Sequence, residues 1–123
     1  MESEDITVRS DCHIHVRGDE KADDVLRAMD RAKLDLICII SWPPPSTVAD
    51  PLEKRHPSED ERMTETGRMI AGDPERVRGF YWVDPLVDDA PDQVERAVAE
   101  FHYAGVKLIP DHWYPYDERI FPT

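Results

Sequence analysis

Five residues near the start of the chain, Asp11-Cys12-His13-Ile14-His15, carry the side chains best suited to chemistry. They close a short apolar alternation that runs from Ile6 to Val16. Histidines two apart on a strand point to the same side of it. Their imidazoles can then converge on one metal ion, which takes N or O ligands at about 2.0–2.2 Å. Strict alternation also puts Asp11 on that face, and Cys12, Ile14 and Val16 on an opposite, apolar face. The bland alternative is a pair of structural histidines on a polar strand face. A catalytic zinc site takes about three protein ligands or more, so His13 and His15 are at most one wall of a metal site.

The elements that must carry this wall alternate strand and helix. Strands are expected over Ile6–Val16, Leu34–Ser41, Val77–Val83 and Val106–Ile109. The second is a nearly continuous apolar run, as in a strand covered on both faces. Helices are expected over Asp23–Lys33, where Val25, Leu26, Met29 and Ala32 share a face, then from the Ser58/Glu61 capping pair through Ile70. A third runs from Asp89, with Pro91 in its first turn and Val94, Ala97, Val98 and Phe101 as its buried stripe. Gly105 suits the end of that helix. Residues 42–57, with Pro43-Pro44-Pro45, and the tail 111–123 read as irregular. Strands joined through helices make a parallel sheet, so the chain is α/β and reads as one domain over 1–123. It contains neither GxGxxG after the first strand nor GxxxxGK[ST], which disfavours a nucleotide-binding doubly wound fold.

Composition excludes several classes of partner. The 27 acidic residues outweigh 15 basic ones, for a formal net charge of −12. Nucleic acid is therefore not an expected partner, because phosphate binding needs clustered Lys and Arg. No run approaches the ~20 apolar residues of a membrane span, and the acidic start is not that of a signal peptide. A soluble, cytoplasmic protein is expected. Cys12 and Cys38 have no metal-finger spacing and are expected as small core residues kept reduced.

Four segments taken together resemble a known family. Asp11-Cys12-His13-Ile14-His15 resembles the first-strand signature of the metal-dependent amidohydrolase superfamily. Asp73-Pro74-Glu75-Arg76-Val77-Arg78-Gly79-Phe80, Val83-Asp84-Pro85 and Gly105-Val106-Lys107-Leu108-Ile109-Pro110 resemble the third and fourth strands of its amidohydrolase 2 branch, the aminocarboxymuconate-semialdehyde decarboxylase-like enzymes. Order and spacing agree over nearly the whole chain, although Ile109 stands where the family often has His. The resemblance implies a partial (β/α)8 TIM barrel: about four parallel strands with three intervening helices, the N-terminal half of a fold of roughly 250 residues. It implies a divalent metal, usually zinc, held partly by His13 and His15. It also implies hydrolysis or nonoxidative decarboxylation of a small carboxylated substrate. The family's further histidines, on strands five and six, and its strand-eight aspartate have no counterpart here. The general acid or base is expected outside these residues.

Within that frame Lys107 is expected to point into the barrel, because Val106 and Leu108 suit the helix-facing side. Its functional readings are a contact to a substrate carboxylate or, as in other amidohydrolases, a carbamylated metal bridge. Its bland reading is an ion pair with Asp84 or Asp11. Trp42 and His112 end up on the rim where barrel active sites form, as pocket candidates. The rival to an enzyme is a catalytically silent half-barrel: a metal-binding or interaction module, or a truncated remnant. Either reading leaves open sheet edges, so a homo-oligomer or a complementary half-barrel chain is an expected partner. The distorted barrel of the polymerase-and-histidinol-phosphatase type ranks lower, since the second strand leads into Ser41-Trp42-Pro43 and not a "TDH" motif.

Overall fold

The computed structural model describes residues 7–46 and 57–122. Most of the proline-rich loop, including His56, lies outside them. Four strands, β1 (Ser10–His15), β2 (Leu36–Ile40), β3 (Val77–Trp82) and β4 (Gly105–Lys107), form one sheet in the order β1-β2-β3-β4, every pair parallel. Helices α1 (Ala22–Ala32), α2 (Glu59–Gly72) and α3 (Ala90–Phe101) connect them in turn. The expected mixed α/β chain of four parallel strands and three helices is the observed one.

Local chemistry sets the helix ends. The Ser58 hydroxyl accepts from the Glu61 N–H at 3.1 Å and caps α2. Helix α1 opens with Asp23 and Asp24 near its positive end. It stops at Lys33, whose φ of 56° is left-handed. Helix α3 stops likewise at His102, with φ of 60°. Gly105 is therefore not the helix terminator that its type suggested; it opens β4. A Cβ there would come within 2.9 Å of the Phe80 ring on the neighbouring strand. Strand β4 also ends at Lys107, earlier than the apolar run Val106–Ile109 implies, and the tail holds one short 3₁₀ turn, Glu118–Ile120.

The sheet has two unlike faces. Ile14, Val16, Ile37, Ile39, Val77, Tyr81 and Val83 meet Met29 of α1, Met63, Met69 and Ile70 of α2, and Ala90 and Ala97 of α3 in one core. The alternate residues must face the other way. The register sets His15 beside Ile40, Ile40 beside Phe80, and Trp82 beside Lys107 on this second face. None of these joins the core that the three helices build. No helix of the described residues is long and apolar enough to cross a membrane.

Candidate metal centre

The two histidines of β1 converge. Their Nε2 atoms lie 2.9 Å apart, with ring centroids at 4.9 Å. Two nitrogens each about 2.05 Å from one ion are about 2.9 Å apart at a right angle and about 3.3 Å apart at a tetrahedral one. The observed separation thus suits one shared ion with little movement. Trp82 backs the pair, its ring 5.6 Å from that of His15. Burial, then the positive charge that His13 and Lys107 bring, lowers the His15 imidazole below its ordinary value. The neutral ring is the form that ligates a metal.

Strand β1 does not keep a strict alternation. Asp11 lies opposite Ile37 and Ile14 opposite Ile39, so Cys12 and His13 together face Cys38 across a bulge. Two expectations change. Asp11 sits beside Ile37, a core residue, and its carboxylate accepts from the His13 backbone N–H at 3.0 Å. It braces the bulge and does not extend the ligand wall. Cys12 is exposed and Cys38 half-buried, so neither is the core residue expected from sequence. Among the described residues no third His, Cys, Asp or Glu completes a metal-binding group.

Lys107 lies where the pattern put it. With Cys12, His13, Ile40, Phe80 and Val106 it lines a shallow cavity of about 180 Å³ on the second face. The ion pairs proposed as its bland reading are not made. Asp84 goes instead to His112, whose Nε2 is 3.1 Å from its Oδ1, and Asp11 to the His13 amide. Among the described residues Lys107 has no ion pair.

The two rim candidates are held elsewhere. His112 sits between carboxylates, with Nδ1 2.5 Å from Asp111 and Nε2 on Asp84. The Asp111 contact raises the imidazole, burial works against it, and Asp84 adds to the rise; the net shift is upward. Burial pushes the Asp84 carboxyl up, but hydrogen bonds from Ser46, the Leu86 amide and His112 outweigh it and hold the group below the usual range. Trp42 is half-buried, its carbonyl accepts from Arg62, and it is not part of the Lys107 cavity wall. The structure therefore brings His13, His15 and Lys107 to one face and leaves Trp42 and His112 as neighbours of other groups.

Sequence reasoning passed over Arg62. It is 3% exposed. Its guanidinium donates to the carbonyls of Trp42 (3.1 Å) and Trp82 (2.9 Å) and to the Tyr81 hydroxyl (2.9 Å). That hydroxyl donates onward to Gln93 of α3 at 2.9 Å. Burial pushes the Tyr81 phenol up to about 12, so it remains a neutral donor. The network ties the carboxyl ends of β2 and β3 to α2 and α3. The available signal was position: Arg62 adjoins the Met63–Gly67–Ile70 stripe, which is the buried side of α2. No family model, curated protein or solved structure matches the chain.

Proposed function

We propose that this chain supplies one wall of a divalent-metal centre in a (β/α)8 barrel of the amidohydrolase type, acting on a small carboxylated substrate by hydrolysis or nonoxidative decarboxylation. The observation that carries the reading is the convergence of His13 Nε2 and His15 Nε2 to 2.9 Å on the sheet face opposite α1, α2 and α3, beside Lys107. Two neutral imidazoles suit zinc, and the lowered His15 keeps one of them unprotonated at neutral pH. His13 and His15 would hold part of the coordination of a zinc ion, which would supply Lewis acidity and an activated water. The chain's own residues do the rest of the positioning. Lys107 offers an ammonium without an ion pair among the described residues, at the distance of one cavity from His13, and holds a substrate carboxylate. Phe80 and Ile40 form the apolar wall against which the carbon skeleton rests. The remaining ligands and the general acid or base come from further barrel strands, in the same polypeptide or in a partner.

One observation favours a second reading, a metal-binding or interaction module without catalysis: the described residues offer two ligands and no third. Zinc titration by calorimetry tests the shared premise. The wild-type chain should bind zinc, and His13→Ala and His15→Ala should each weaken it about tenfold or more. Equal binding by all three proteins would overturn the assignment. Lys107→Met, which removes a positive charge acting on His15, should not weaken zinc binding and should abolish protection of the site by a small carboxylate.

A further inference from the structure

The bulge in β1 does more than aim His13. It sets two residues, Cys12 and His13, against the single residue Cys38 of β2. Ile37 and Ile39 both point into the helix-facing core, so Cys38 between them points to the opposite face. Cys12 lines the cavity on that same face. Neighbouring strands run about 4.8 Å apart, inside the ~4.4–6.8 Å Cα separation that a disulfide spans. Both thiols are free, Cys12 exposed and Cys38 half-buried. Burial, and next the Cys12 sulfur, push the Cys38 thiol up. These are the only two cysteines of the chain.

We propose that Cys12 and Cys38 form a reversible cross-strand dithiol–disulfide pair that reacts with low-molecular-weight disulfides. Cys12, the accessible thiol, attacks the small disulfide as its thiolate, forms a mixed disulfide and releases one small thiolate. The Cys38 thiolate then attacks the Cys12 sulfur, closes the β1–β2 bond and releases the second small thiolate. The two protons lost by the protein thiols go to the two departing thiolates, and two electrons pass to the small disulfide. The bond would pin the bulge immediately before His13, so the oxidation state of the pair acts on the geometry of the histidine wall. The pairing itself does not depend on metal binding.

The test uses the folded 123-residue chain, reduced and then equilibrated in glutathione redox buffers, with mass spectrometry and thiol counting. The expected product has lost two hydrogens, carries no adduct and has no free thiol. Its effective concentration, from the glutathione ratio at half oxidation, should exceed that of the same chain in denaturant at least tenfold. Cys12→Ser and Cys38→Ser should each give, at most, a single glutathione adduct. A wild-type chain that keeps both thiols, ends as a glutathione adduct or a linked dimer, or closes no more readily than in denaturant would overturn the proposal.

Discussion

At the scale of the residue, two imidazoles, His15 and His112, are set in opposite directions. His15 is lowered, first by burial and then by neighbouring positive charge, whereas His112 is raised, first by Asp111 and then by Asp84. A proton NMR titration should find the His15 midpoint below the ordinary value of ~6.5 and the His112 midpoint above it. The consequences for stability have opposite signs. The folded state binds the His112 proton more tightly, so its contribution is fully present below ~6.5 and is lost as pH rises through the raised value. The folded state binds the His15 proton less tightly, so its contribution is present above ~6.5 and is lost as pH falls through the lowered value. Urea midpoints of His112→Gln and the wild type should therefore differ most in mild acid and converge in alkali. The histidine wall was legible because its spacing is local. The Asp84–His112 contact was not: it joins residues 28 apart, through a tail with no periodic signal.

At the scale of the element, the helix starts and the strand order followed from pattern, and the exceptions have physical causes. The α2 cap is the Ser58 hydroxyl on the Glu61 amide. Ser58→Ala should cost about 1 kcal/mol in chemical denaturation. Gly79 on β3 faces the helices, and a Cβ there would lie 2.2 Å from Ile70 Cδ1 and 3.2 Å from the Tyr103 ring. Gly79→Ala should thus lower stability by about 1–3 kcal/mol through overpacking, read from the urea midpoint at unchanged slope. The bulge escaped pattern reading because inserting a residue leaves composition intact while it shifts which face each side chain takes. That one residue separates the expected Asp11–His13–His15 face from the observed one, and it moves Cys12 out of the core. Gly105 was misassigned for a related reason: the demand for a small residue comes from the Phe80 ring on a neighbouring strand, which no local window contains.

At the scale of the molecule, the sheet puts its helices on one face and leaves β1 and β4 as its two edges. All pairs are parallel, so the edge of β4 is of the kind that receives the edge of β1 in a closed barrel. Under the proposed barrel reading, the isolated chain should associate with itself or with a complementary half. Sedimentation velocity should show species beyond the monomer that grow with concentration. A well-folded monomer at high concentration would count against that closure. Each copy carries a formal charge of −12. Association should therefore strengthen as salt screens the repulsion between copies. The α/β class and the strand sequence were legible because each βα unit is short and periodic. What would close the second face under the barrel reading was not, because that information lies between strands and not along them.

The bulge has one more effect, on the company β1 can keep. An edge strand of regular pleat accepts almost any extended chain, which is how misassembly and fibril growth begin. A strand with an extra residue between Asp11 and Ile14 twists out of that regular repeat. A stray strand can pair with only a few residues before its hydrogen bonds lose step. The same insertion that aims His13 thus makes the exposed rim of the sheet choosy, and a polypeptide that docks there productively must itself be curved to match.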